Sequence, residues 1–325
     1  MAWLRQEAAL DSESAAPALL PVQDSSGDLL ADRRFEWARD CAARGDLAAA
    51  ADLIMQSLEI APDYGSAWFA LGELRARLGD RTGAELAFRK TLALDPADRR
   101  GAGLHLMRLG AEPAGEMPAA YVRALFDSYA PAFDRRLRDR LGYRGPELLF
   151  SAVVASGRTM QFGRALDLGC GTGLAAAVFR PHCERLLGVD LSPGMIAQAR
   201  AKALYDRLVE GDAIGFLRME SAAGAQYDLV LAADVFVYLS DLAPVIAAAA
   251  AVMAGDGLLV FSIETHDGDG VLLRETMRYA HGRSHVVAAL SAAGLSPFGV
   301  EAAATRSEKG VPVSGLIVVA QRKQP

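Results

Sequence analysis

Residues 165–173 read ALDLGCGTG, an apolar run closed by an acid and followed by glycine at 169, 171 and 173. Alternate glycines exchange side chains for backbone freedom: without Cβ they reach positive φ cheaply and bring bare N–H groups against whatever lies above them. Where such a loop runs from a strand into a helix, its amides and the helix N-terminus face a polar ligand. Asp167 closes the strand, so the stretch reads as a cradle at the carboxyl end of a sheet.

The register narrows the ligand. A dinucleotide pyrophosphate loop, G-x-G-x-x-G, needs glycine at 174, where this chain has Leu174. A nicotinamide-dependent oxidoreductase shares the fold and is opposed by that register. Asp190 closes the next apolar run, 23 residues after Asp167, and a carboxylate there accepts from both hydroxyls of a ribose. LSPGMIAQAR then reads as a helix start, with Ser192 as cap and Pro193 in the first turn.

Short apolar runs alternate with helical stretches around this motif. RALDL, RLLGVDL, YDLVLAAD, GLLVFSIE and SGLIVVAQR read as strands, with helices between the first four. The expected class is α/β, a Rossmann-like doubly wound parallel sheet with helices on both faces.

A different pattern precedes it. Residues 44–63 and 78–98 superpose with a shift of 34, which matches Gly45 with Gly79, Asp46 with Asp80, Ala50 with Ala84, Leu58 with Leu92 and Pro62 with Pro96. That is a helix-turn-helix period. Trp68, Leu71, Gly72, Ala84, Phe88 and Pro96 fall at the offsets of tetratricopeptide repeats, which the stretch resembles. GAGLHLMRLGA at 101–111 supplies one further helix. Two copies and a helix fall short of the three repeats that normally stand alone, so the next domain is expected to support them. The repeats point to a docking surface for a protein or peptide, or equally to a brace or homodimerisation surface.

Residues 1–30 lack periodicity and read as a mobile tail. Between the repeats and the sheet, Tyr121, Phe126, Tyr129 and Phe133 mark an amphipathic helical segment interrupted near Pro131. Its arginines, from Arg123 to Arg144, face Asp127, Asp134 and Asp139, which reads as a solvated face laced with ion pairs rather than an RNA-binding surface. The expected division is a tail at 1–30, helical repeats at 31–116, connecting or lid helices at 117–145 and a catalytic domain at 146–325.

Composition excludes some partners. A net charge of -6 over 325 residues gives no global attraction to nucleic acid or anionic membrane. No apolar stretch is long enough to span a bilayer, and the acidic N-terminus does not read as a signal peptide. Cys41, Cys170 and Cys183 form no C-x-x-C pair and leave an odd count, which suits a reducing, cytoplasmic setting.

The ordered set D-L-G-C-G-T-G, G-V-D-L-S, E-G-D-A at 210–213 and Y-D-L-V-L-A-A-D at 227–234 resembles the class I S-adenosylmethionine-dependent methyltransferases. FDSYAPAFDRRL at 126–137, ADVFVYLSDL at 233–242 and RYAHGRSHVVAALSAAGL at 278–295 extend the resemblance to predicted bacterial methyltransferases that carry N-terminal tetratricopeptide repeats. The resemblance implies that Gly169, Gly171 and Gly173 line the methionine portion of S-adenosylmethionine, with Asp167 near its ammonium. It implies Asp190 and Leu191 at the ribose, Asp212 and Ala213 at the adenine, Ala233 and Asp234 beside the methyl group, and Tyr129 and Phe133 as an aromatic lid.

Methyl transfer to oxygen or nitrogen is an in-line displacement that needs alignment and exclusion of water, and a base only where the acceptor must lose a proton. Asp234, Tyr238 and His281 are the candidates for that role. His266, Arg278 and Tyr279 are expected at the acceptor, with His281, Arg278 and Tyr279 forming a polar cluster before a helix near Ser284 that suits an acidic acceptor. His281 and His285 lack a third ligand for a metal and are expected in solvent. The acceptor is unidentified, and a small molecule is expected over a protein. The rival reading is a non-catalytic repeat scaffold with a vestigial cofactor site.

Overall fold

The computed structural model of the chain describes residues 24–137, 141–308 and 310–323. Most of the expected tail and Asp139 lie outside them. The described chain divides between Leu125 and Phe126 into two compact units.

The first unit is helical: α1 (Leu29–Ala43), α2 (Leu47–Ile60), α3 (Gly65–Arg77), α4 (Arg81–Leu94) and α5 (Ala102–Arg108). The 34-residue shift is visible in the helices themselves. Asp46 and Asp80 cap α2 and α4 through hydrogen bonds from the Ala49 and Gly83 amides at 3.1 and 2.9 Å. Gly45 and Gly79, at φ 85° and 81°, make the preceding turns. Ala50 and Ala84 are fully buried, and Gly72 lies against the Phe88 ring, so small residues set the close helix approach.

Between the units runs α6 (Ala119–Tyr129), which gives way at Pro131 to a 3-10 turn (Ala130–Ala132) and a short helical turn (Phe133–Arg135). This is the expected interruption.

The second unit alternates strands and helices: α7 (Gly145–Ala155), β1 (Phe162–Leu168), α8 (Leu174–Phe179), β2 (Cys183–Asp190), α9 (Pro193–Lys202), β3 (Arg207–Glu210), α10 (Ala213–Ala222), β4 (Tyr227–Ala232), α11 (Ala243–Val252) and β5 (Met253–His266). There follow β6 (Val271–Leu273), β7 (Tyr279–Gly282), α12 (Arg283–Ala292), β8 (Leu295–Ala303), the small hairpin β9 (Ser307–Glu308) and β10 (Val311–Pro312), and β11 (Gly315–Arg322). The main sheet has the order β3-β2-β1-β4-β5-β11-β8, with β7 also beside β5 and β6 beside β7. β1 to β5 are mutually parallel, as expected; β11 is antiparallel to both β5 and β8. That corrects the expectation of a wholly parallel sheet.

The continuous apolar runs follow from burial on both faces. Along β4, Val230 and Ala232 enter one core with Phe216, Ile246 and Leu290, whereas Leu229 and Leu231 enter the other with Leu149, Ala176 and Phe179. Chain order reverses between β1 and β4, which opens a crevice beyond their carboxyl ends.

Candidate active site

Three loops meet at those carboxyl ends. After β1, Gly169, Gly171 and Gly173 all take positive φ, at 60°, 52° and 87°. A Cβ on Gly169 would lie 2.5 Å from the Val235 side chain and one on Gly173 would lie 3.1 Å from Tyr205, so the glycines are required by contact as well as torsion. The Cys170 amide donates to the Val189 carbonyl at 3.0 Å, which pins the loop to the end of β2.

Asp190 completes that connection. Its Oδ2 accepts from the Gly171 amide and its Oδ1 from the Ser192 amide, both at 2.8 Å. Burial raises its pKa, and the two amides oppose that rise. Each carboxylate oxygen retains a lone pair for a further donor. Ser192 caps α9 as expected, accepting from the Met195 amide at 3.0 Å, with Pro193 behind it. Asp167 is 1% exposed. Its Oδ2 accepts from the Tyr205 hydroxyl at 2.6 Å, while its buried Oδ1 has no hydrogen-bond partner. Burial pushes its carboxyl up to about 7, against the pull of Tyr205 and with a smaller push from Asp190.

The segment after α6 is fastened over these loops. The Thr172 hydroxyl donates to Asp134, Lys202 Nζ pairs with the same carboxylate at 2.5 Å, and the Phe133 ring comes near Gly171. Asp127 Oδ1 accepts from the Ser192 hydroxyl at 2.5 Å and from the Gly194 amide at 3.0 Å. Asp127 and Asp134, expected to offset neighbouring arginines, instead tether the segment to the glycine loop and to α9. Tyr129 stands 5.5 Å from the Arg136 guanidinium, and Phe126 packs edge-on against Phe133 and Tyr238.

Asp212 is exposed and caps α10 through the Gly215 amide at 2.7 Å; Ala213 beside it, Leu191 after Asp190 and Ala233 after β4 are half-buried.

The remaining sequence candidates divide. Asp234, at φ 56°, accepts from Ser262 at 2.6 Å and Thr305 at 3.0 Å and lies 3.8 Å from Arg306, so its carboxylate is already engaged. Tyr238 is 8% exposed, with Arg278 over its ring at 5.4 Å. His266 is held in its own loop, accepting from the Gly268 amide at 3.1 Å. Tyr279 is buried in β7. The polar cluster expected around His281 is corrected: His281 is fully buried in β7, stacked on His285 with centroids 5.6 Å apart, and α12 begins at Arg283. His285, expected in solvent, is half-buried. Burial, with His285 beside it, lowers the His281 pKa to about 4. Sequence reasoning missed Tyr205, Lys202 and Arg306, which sit in no motif, and gave no role to Thr172 within the glycine loop or to Glu264 at the end of its strand.

The comparisons with known proteins bear on this loop arrangement. Residues 166–261 match the model of a family described as a methyltransferase domain. The match runs from β1 through the glycine loop to β5. The chain is 37% identical over 115 residues to methyltransferase-like protein 27 of Homo sapiens, covering 34% of this chain and 46% of that one. It is 31% identical over 109 residues to malonyl-[acyl-carrier protein] O-methyltransferase of Enterobacter lignolyticus, covering 34% and 39%. Among solved structures it is similar to 1,6-didemethyltoxoflavin-N1-methyltransferase of Burkholderia thailandensis, with a TM-score of 0.49, 18% identity and coverage of 66% and 93%. The chain spans less than half the length of these two curated relatives. No described helix is long and apolar enough to cross a membrane.

Proposed function

We propose that the whole chain is an S-adenosylmethionine-dependent methyltransferase acting on a small molecule. The observation that carries this reading is the convergence of three positive-φ glycines, Asp190 and the unpartnered Asp167 oxygen on one crevice. In this reading the Asp167 Oδ1 receives the ammonium of the methionine portion and the glycine backbone lies along it. Asp190, preset by the Gly171 and Ser192 amides, takes the ribose hydroxyls with Leu191 alongside. Asp212 spends one oxygen on its helix cap and offers the other to the adenine, next to Ala213. Ala233 lies toward the methyl group, and Tyr129 and Phe133 close the crevice from the tethered segment.

When bound, the cofactor supplies an electrophilic methyl carbon on a sulfonium. The protein contributes alignment and exclusion of water. The printed names of the relatives, malonyl-[acyl-carrier protein] and ubiquinone biosynthesis O-methyltransferases, support a metabolic acceptor and transfer to oxygen. The repeated helix pairs of the first unit support membership of the bacterial group with tetratricopeptide repeats, and a role there in docking a partner or in homodimerisation.

Isothermal titration of the full chain with S-adenosylmethionine, S-adenosylhomocysteine and NADH tests the reading. Micromolar binding of the first two and none of the third is expected. Absence of all binding returns the chain to the scaffold reading, and binding of NADH alone to the oxidoreductase.

A further inference from the structure

Beyond the ends of β4 and β5 the charged side chains are unevenly satisfied. Glu264, 3% exposed, is approached by Arg306 at 2.6 Å, Arg274 at 3.4 Å and Arg278 at 3.5 Å. Arg306 also reaches Glu308 at 2.8 Å and lies 3.8 Å from Asp234. Among the described residues Arg306 Nη1, Arg274 Nε, Arg278 Nη1 and Glu264 Oε2 are all buried without a hydrogen bond. Of the three arginines, Arg278 is 3.5 Å from Glu264 and its side chain is 21% exposed. A guanidinium fork matches a carboxylate edge to edge.

Arg278 lies over the Tyr238 ring at 5.4 Å from its centroid, and Phe126 packs edge-on against the same ring. Arg274, Arg278 and Arg306 face Glu264, Asp234 and Glu308, so it is the unfilled donors rather than an excess of positive charge that a ligand carboxylate would satisfy. The candidate bases here are engaged: Asp234 is bonded to two hydroxyls, His281 is enclosed, His266 Nδ1 accepts from the Gly268 amide and Tyr238 lies beneath Arg278. An acceptor that needs no base is one already ionised at neutral pH.

We propose that the acceptor is a carboxylic acid with an aromatic or apolar body, seated by Arg278 beside Tyr238 and Phe126, and methylated on its carboxylate oxygen. The inference rests on the methyltransferase reading above. A lone pair of the carboxylate oxygen forms the bond to the methyl carbon, and the carbon–sulfur bond breaks with its electrons staying on sulfur. The products are a methyl ester and S-adenosylhomocysteine, and no proton moves.

The test begins with binding. Full-length protein saturated with S-adenosylhomocysteine is titrated with phenylacetate and with phenylacetamide, its neutral counterpart. The acid is expected to bind at least tenfold more tightly, and Arg278→Met to erase the difference while S-adenosylhomocysteine affinity is kept. Methyl-labelled S-adenosylmethionine with phenylacetate is then expected to give label released as methanol by mild alkali. If S-adenosylhomocysteine does not bind, the underlying reading falls and this inference with it. If it binds but the acid shows no preference over the amide, or the transferred label survives alkali, the carboxylate assignment alone is overturned.

Discussion

Asp127 accepts a hydrogen bond from the Ser192 hydroxyl at 2.5 Å while Ser192 accepts from the Met195 amide at 3.0 Å, so one serine both caps α9 and latches the segment above it. Asp127 also takes the Gly194 amide. Asp127→Ala removes two charge-assisted bonds from a half-buried position and is expected to destabilise the second unit by about 2 kcal/mol. Asp127→Asn, which keeps an acceptor, is expected to cost less. Urea unfolding of the two variants checks the order; equal stability of wild type and Asp127→Ala rejects the latch.

Asp190 joins structure to ligand. Its oxygens hold the Gly171 and Ser192 amides before any ribose arrives, so Asp190→Ala leaves two amides unpaired as well as two hydroxyls. S-adenosylmethionine affinity is expected to fall by roughly 1–3 kcal/mol, about 5- to 150-fold, with a lowered melting temperature. Titration calorimetry and a thermal melt on one preparation separate the effects. A melt that falls with affinity unchanged removes Asp190 from the ribose site.

Asp167 makes stability depend on pH and, in the proposed reading, cofactor binding as well. Its carboxyl is raised from the usual 3.8 to about 7, chiefly by burial. The stability it contributes is therefore fully present below pH 3.8 and lost as pH rises through about 7, a loss of roughly 4 kcal/mol once it is complete. A ligand ammonium beside it favours the ionised form, so S-adenosylmethionine affinity is expected to rise between pH 6 and 8, with a proton released on binding. Titrations in buffers of different ionisation enthalpy count that proton. Asp167→Asn is expected to flatten the profile, and a flat wild-type profile refutes the coupling.

What was legible in the chain was local. The glycine loop, the strand-closing acids Asp167 and Asp190, the Ser192 cap and the 34-residue helix period each lie within one stretch of sequence, where torsional and capping rules act. The tethers are long-range: Asp134 meets Thr172, Tyr205 meets Asp167 and Arg306 meets Glu264 across separations of 38, 38 and 42 residues that no spacing rule connects. Edge strands β3 and β8 were missed because they are only partly buried and carry no continuous apolar run. YAHG at 279–282, part of the expected polar cluster, gives no strand signal because a four-residue strand buried throughout has no alternation to reveal it.

His281 offers a test of structural against chemical roles. Burial lowers its pKa to about 4, below the ordinary 6.5. The stability that comes from keeping it neutral is present above pH 6.5 and lost as pH falls through about 4. His281→Phe, which fills a similar volume without titrating, is expected to remove that part of the acid limb and to leave methyl transfer unchanged at pH 8. Loss of turnover with S-adenosylmethionine affinity intact would restore His281 to the chemistry.

Gly72 tests whether the first unit depends on close helix packing rather than on composition. A Cβ there would stand 2.6 Å from the Phe88 ring, which is itself fully buried, so α3 and α4 must part or the ring must leave its rotamer. Gly72→Ala is expected to cost about 1–3 kcal/mol, the usual penalty for overpacking. Gly45→Ala meets nothing within 4 Å but forces alanine to φ near 85°, and is expected to cost about 1–2 kcal/mol through backbone strain alone. The double variant Gly72→Ala with Phe88→Leu separates the causes, because the smaller side chain makes room for the methyl. Its cost is expected to be less than the sum of the two single changes; strict additivity in denaturant unfolding would show that Gly72 and Phe88 do not share one packing contact.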